Sequence, residues 1–329
     1  KGQTADEMKS VFHFPESNVL QPNFAAIYND INKKDKPYKL STGNALWVQQ
    51  DYPFLEDYTS RVERYYGGKA ANLDFIGETE KSRQTINTFI EEQTNNKIKD
   101  LIPQRVLNQH IRLVLTNAIY FKGTWTWEFE KSATREGEFK ITPTNVVKTP
   151  MMLMNNDKAK FSYADLGDLQ ILELPYKGEE ISMLIVLPTE NLEAIEPSLA
   201  AEQLNEWKNK MRKDKLDAIY LPKFEFNTKY FMNDALSAMG MPTAFSDSAD
   251  FSGMTSKKDL FISSVIHQAY VKVDEEGTEA AAATAVGFGP TSVSPPRKEF
   301  RADHPFIFII QEKDTGNILF IGRVTDPTK

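Results

Sequence analysis

Apolar residues in the first third of the chain recur at helical spacing. Phe24, Ile27, Tyr28 and Ile31 fall three or four apart, as do Phe54, Tyr58, Val62 and Tyr65 ahead of Gly67-Gly68, and Ile86, Phe89 and Ile90. Each set predicts a helix. Farther along, the pattern changes to runs rich in Ile, Val, Phe and Tyr at Leu113 to Phe121, Ile181 to Leu187, Phe306 to Ile310 and Ile318 to Val324, which predict strands. The last two flank EKDTGN, which reads as a hairpin turn. Helices cluster early and strands late, with no regular βαβ alternation, so an α+β arrangement is expected rather than a parallel doubly wound sheet. No repeat of 20–50 residues and no Pro/Gly/Ser linker divides the first 275 residues. The expectation is one large domain.

Composition narrows the function classes. The chain has 329 residues with 40% hydrophobic and 26% charged, ordinary globular usage that rules out disordered and collagen-like classes. Its 39 basic and 46 acidic residues leave a net charge of −7, so it has no global attraction for nucleic acid or an anionic membrane. No apolar run approaches the roughly 18 residues of a membrane span. Without a cysteine there is no disulfide framework, thiol nucleophile or cysteine-ligated metal. The opening KGQTADEMKS shows no signal-peptide pattern.

Enzyme motifs are absent. There is no G-x-S-x-G, H-E-x-x-H, S-x-x-K or G-x-x-x-x-G-K-[ST], and Gly287 and Gly289 supply only two glycines of a dinucleotide fingerprint. No two of His13, His110, His267 and His304 sit at ligand spacing, so each reads as a structural histidine. Lys33, Lys34 and Lys36 read as a solvated helix end rather than a polyanion site.

The stretch after Glu275 is different. From Ala280 to Pro296 there are 17 consecutive residues with no charge and little bulk. Strong strands bracket it, so it is an excursion from within a domain, and loops this long in compact domains are usually functional. Its start, EEGTEAAAATAV, has side chains small enough to slide between two strands. Thr278, Ala280, Ala282, Thr284 and Val286 would share one face, with Glu279 on the other. The strands that could receive it each carry a polar residue in an apolar row. Asn117 shares parity with Leu113, Leu115, Ile119 and Phe121, and His267 with Val265, Ala269, Val271 and Val273. These two could satisfy each other, or a helix hydroxyl beneath the sheet, as a latch that opens when a strand inserts.

At these residues the chain resembles the serpin family, over essentially its whole length. Three motifs carry the resemblance: Thr116-Asn117-Ala118-Ile119-Tyr120-Phe121-Lys122-Gly123-Thr124-Trp125, Glu275-Glu276-Gly277-Thr278-Glu279-Ala280-Ala281-Ala282-Ala283-Thr284, and Phe300-Arg301-Ala302-Asp303-His304-Pro305-Phe306-Ile307-Phe308-Ile309-Ile310. It implies an α+β serpin fold in one domain, with three sheets, about nine helices and an exposed reactive-centre loop at about 276–297. Asn117 and His267 then match the family's shutter pair, and Trp125 its breach. Glu275 and Lys223 match the salt bridge closing sheet A. The hinge would run through Gly277, Thr278, Glu279, Ala280, Ala281, Ala282, Ala283 and Thr284. Family spacing from Glu275 puts the reactive bond between Thr291 and Ser292, with Val286 and Val293 as alternative cut sites.

The chain departs from the family at its start, because KGQTADEM aligns inside the fold, after the first two helices. The helix that carries the shutter serines is not in this sequence, so Asn117 and His267 are expected to lack that partner. The implied activity is suicide inhibition of a serine protease, with no cofactor, nucleic-acid or membrane partner. The small, uncharged Thr291 suits an elastase-like or subtilisin-like target. The chain is expected to be monomeric with loop–sheet polymerisation as a hazard, and extracellular in preference to cytoplasmic or periplasmic. The reading kept beside it is a non-inhibitory serpin-like binding or chaperone protein.

Overall fold

A computed structural model describes residues 1–33, 35–278 and 298–329. In chain order the elements begin α1 (Gly2–Val11), α2 (Ser17–Ile31), β1 (Tyr38–Thr42), β2 (Ala45–Gln49), α3 (Glu56–Arg61), β3 (Lys69–Leu73), α4 (Thr79–Gln93) and β4 (Leu113–Thr124). Next come β5 (Arg135–Thr142), β6 (Asn145–Met154), β7 (Phe161–Asp165), β8 (Leu169–Pro175), β9 (Ile181–Pro188), α5 (Ala201–Lys210), β10 (Arg212–Asp214), β11 (Ala218–Pro222) and β12 (Phe224–Phe231). The chain closes with α6 (Asn233–Met239), α7 (Ser252–Thr255), β13 (Ser264–Asp274), β14 (Gly277–Thr278), β15 (Glu299–Arg301), β16 (Phe306–Glu312) and β17 (Ile318–Val324). Among the described residues these strands form three sheets, so the fold is α+β as expected.

The chain divides into two compact units, residues 1–121 with 227–270 and residues 122–226 with 271–329. In the first, β4 runs parallel to β13, with Ser264 to Tyr270 opposite Val114 to Tyr120, and antiparallel to β2. Strand alternation sends Val114, Ala118 and Tyr120 to one cluster with Trp47, Ile86, Ile90, Ile98, Leu101 and Ile266. Leu113 and Leu115 pack in another, with Val48, Leu236, Met241, Leu260 and Ile262. Both faces are covered, which is why the strand reads as an almost unbroken apolar run. Helix α4 covers the first cluster with Ile86 and Ile90, one turn apart. Asn87 beside them bonds both the N–H and the C=O of Ile102, fixing the connection to β4.

In the second unit, a six-stranded sheet has the order β10-β7-β8-β9-β16-β17 and a four-stranded one β15-β11-β6-β5. Every residue of β9 and β16 is buried, and α5 lays Leu204 and Trp207 against Leu184, Val186, Ile307 and Ile309. The turn predicted at EKDTGN is present. The Glu312 carboxylate accepts from the N–H groups of Asp314 and Thr315 at 3.1 and 2.8 Å, and Gly316 takes the left-handed φ of +75° that the reversal needs.

The helices and strands read from periodicity are all present. The expected order of helices first and strands later is corrected by β1, β2 and β3, three five-residue strands inside the first 75 residues. They carry Ser41, Thr42, Gln49 and Asn72 and have little intrinsic signal; pairing to β4 and to one another makes them strands. Lys33 and Lys36 both reach Asp30 at the end of α2, which fits the helix-end reading. No helix among the described residues is long and apolar enough to cross a membrane.

Ile90, on the inner face of α4, is fully buried. Ile90→Ala is expected to cost about 2–5 kcal/mol through lost burial and the cavity left behind. Guanidinium denaturation followed by tryptophan fluorescence should show the midpoint fall; an unmoved midpoint would contradict this assignment of the core.

Candidate functional site

Two groups of predicted residues are brought together, one in each unit. In the first unit, the parallel register sets His267 directly opposite Asn117. His267 Nδ1 lies 2.5 Å from Asn117 Oδ1. The Asn117 amide nitrogen donates to Asn44, so its oxygen is the acceptor and the imidazole holds its proton on Nδ1. The Tyr230 ring stacks over the imidazole at 6.0 Å. Burial pushes the His267 pKa below its ordinary value. The two polar residues of the apolar rows are thus in contact, with a third that the sequence did not suggest. It is Asn44, in the turn between β1 and β2, with Gly43 before it as the only local signal. Asn117 also lines a cavity of about 750 Å³ with Phe24, Leu46, Tyr58, Leu115 and Val265.

The second group gathers where β13 ends. Lys223 Nζ sits 2.7 Å from Glu275 Oε2, and Thr134 donates to the other carboxylate oxygen at 2.7 Å. Burial alone would raise the Glu275 pKa, but the bonds from Lys223 and Thr134 outweigh it and hold the carboxyl below its ordinary value. Neighbouring Asp274 moves the other way. Its burial dominates, and its pKa is raised. Glu276 pairs with Lys131.

Trp125 is fully buried and ties the turn down twice. Its indole N–H donates to the Asp274 carbonyl at 3.1 Å, and its backbone N–H to the Glu276 carbonyl at 2.8 Å. Phe129 N–H takes the Glu275 carbonyl at 2.8 Å. Gly277 and Thr278 then form β14, antiparallel both to β13 at Val273 and Asp274 and to β4 at Gly123 and Thr124. Thr278 is fully buried, and its hydroxyl is 2.7 Å from that of Tyr176, whose ring stacks on Trp125 at 4.4 Å. Tyr176, Thr134 and Lys131 escaped sequence reasoning. The hinge positions Glu279, Ala280, Ala281, Ala282, Ala283 and Thr284 lie outside the described residues, as do Thr291, Ser292 and the alternative sites Val286 and Val293.

His304 has acceptors on both ring nitrogens, Asp303 Oδ1 at 2.9 Å and the Pro188 carbonyl at 2.6 Å. Burial opposes its charge, but these two bonds prevail and its pKa is raised.

The family model described as serpin (serine protease inhibitor) matches residues 1–327. An uncharacterized serpin-like protein of Methanosarcina acetivorans is 42% identical over 330 residues, covering 98% of this chain and 76% of that one. The leukocyte elastase inhibitor of Sus scrofa is 38% identical over 334 residues, covering 99% of this chain and 88% of its own. Among solved structures, Serpin48 of the insect Tenebrio molitor superposes with a TM-score of 0.86 at 32% identity, covering 99% of this chain and 86% of its own.

The two histidines oppose each other in their pH dependence. His267 has a lowered pKa, so between that value and the ordinary 6.5 the unfolded chain binds more protons and stability falls on acidification. His304 has a raised pKa, so its contribution is complete below 6.5 and is lost as pH rises through the raised value. Thermal melts from pH 5 to 8 should therefore show His267→Asn losing less stability than wild type below about pH 6.5. His304→Asn should flatten the decline above it. Parallel curves for all three proteins would refute both assignments.

Proposed function

The chain belongs to the serpin family, and from that premise we propose that it inhibits serine endopeptidases as a suicide substrate. A protease would attack the carbonyl before the reactive bond, taken by family spacing as Thr291-Ser292, and form an acyl-enzyme. The freed loop would then enter the large sheet as a new strand. About fifteen residues at 3.3 Å each would carry the tethered protease roughly 50 Å. Each ladder bond gained is worth about 1 kcal/mol net.

The observation that supports this reading most is β14. Along Ser264 to Tyr270, β13 pairs directly with β4, whereas Gly277 and Thr278 pair with both strands. After Glu279, whose side chain falls on the other face of such a strand, Ala280 to Val286 are small and uncharged, as a strand entering a sheet requires. In this reading Asn117 and His267 bridge the two strands that must part, and Lys223 and Glu275 brace the turn from which the loop departs. An elastase-like or subtilisin-like target fits the small Thr291, with Pro290 before it, and accords with a relative named as a leukocyte elastase inhibitor. A sheet open to a strand is open to a second copy's loop as well, so loop–sheet polymers belong to the same proposal.

Mixing the protein with pancreatic elastase, subtilisin and trypsin tests the reading by denaturing gel and intact mass. The expected result is a covalent band at the summed mass with elastase or subtilisin, and a released fragment beginning at Ser292. Clean cleavage without a complex would overturn it in favour of the non-inhibitory reading. Thr278→Arg places a charge in a fully buried position, so it should abolish the complex and leave a substrate. Undiminished trapping by that variant would refute strand insertion.

A further inference from the structure

Residues 274 to 276 are held by their backbone carbonyls and by ion pairs, but Thr278 is held differently. Its side chain is fully buried and its hydroxyl meets that of Tyr176 at 2.7 Å. Tyr176 is itself immobilised: fully buried, stacked on Trp125 with 16° between ring planes, and fixed through its N–H to the Ile181 carbonyl at 3.0 Å. Burial also keeps the phenol protonated, so the pair is two neutral hydroxyls.

The residue before Thr278 allows no slippage. Gly277 has φ +149°, and a Cβ there would lie 2.0 Å from the Gly123 carbonyl oxygen. The backbone can therefore enter the sheet at this position only with glycine, and the side chain after it drops into the place that Tyr176 caps.

We propose that Tyr176 is a positioning residue for strand insertion: its hydroxyl keeps Thr278 seated between β4 and β13 while the loop is uncut. The seat exists in the uncut chain, so the register of the incoming strand is set before a protease arrives. After the cut, insertion extends a strand already begun. This deepens the inhibitory reading and rests on it for the trapping arm alone; the seat itself is a property of the uncut fold.

The test is a double-mutant cycle of Tyr176→Phe, Thr278→Val and the two combined. Each single change breaks the hydroxyl pair from one side, whereas the two combined remove both hydroxyls and keep the shape, which is close to neutral. Residue-resolved hydrogen exchange on the uncut protein reads the seat without any protease. The Thr278 amide is expected to be protected in wild type, to exchange about tenfold faster in either single variant, and to recover in the double variant. An unprotected Thr278 amide in wild type, or unchanged exchange in Tyr176→Phe, would overturn the proposal.

The second arm measures the moles of protein consumed per mole of elastase trapped, which should rise severalfold in each single variant and return in the double. Thermal melts confirm that all four proteins are folded. Faster exchange with unaltered trapping would leave Tyr176 a structural residue and overturn its positioning role. If wild type traps no protease, the inhibitory reading fails along with the positioning role, while the exchange arm still decides whether Tyr176 holds the seat.

Discussion

Everything at the end of β13 depends on one close approach, the backbone of Gly277 lying against that of Gly123. A side chain at Gly277 would force the two strands apart and leave the N–H and C=O groups of β14 without ladder partners. With glycine there, β14 takes its place between β13 and β4. Trp125 then finds the Asp274 and Glu276 groups within reach, and Tyr176 finds Thr278. The ion pair of Lys223 with Glu275 follows from the same geometry, because the turn that presents Glu275 is the one Trp125 and Phe129 pin. A buried carboxylate would ordinarily be costly. Here a cation and a hydroxyl share it, and its proton affinity falls instead of rising.

The first unit applies the same rule with neutral groups. Asn117 and His267 interrupt two apolar rows, and each would be expensive alone. The parallel register places them opposite each other, and Asn44 Oδ1 accepts a hydrogen bond from the Asn117 amide nitrogen. Such a polar link joins strands firmly while staying exchangeable, since a new neighbour can offer the same groups a hydrogen bond. An apolar pair would resist parting only through burial and would confer no register.

Legibility in the sequence followed the range of the interactions involved. Helices α2 and α4 and strands β4, β9, β16 and β17 advertise themselves by local periodicity, and the asparagine and histidine stand out as polar residues in apolar rows. Lys223 and Glu275 came through the family resemblance. What escaped were partners with no local oddity. Asn44 sits in an ordinary turn, 73 residues before Asn117. Tyr176 follows a strand and meets a hydroxyl 102 residues away, and Thr134 reaches a carboxylate 141 residues away. Strands β1 to β3 escaped for a related reason, each being only five residues long and too short to declare itself apart from β4.

The amino-acid order by itself determined the α+β class, the interrupted apolar rows and the uncharged stretch after Glu275, because period, charge and bulk are properties of neighbours along a chain. Only the tertiary structure decided which hydroxyl meets Thr278, which amide completes the Asn117 pair and how Glu275 keeps its charge in a buried place. Those depend on distances between residues far apart in sequence, and folding alone brings them within hydrogen-bond range.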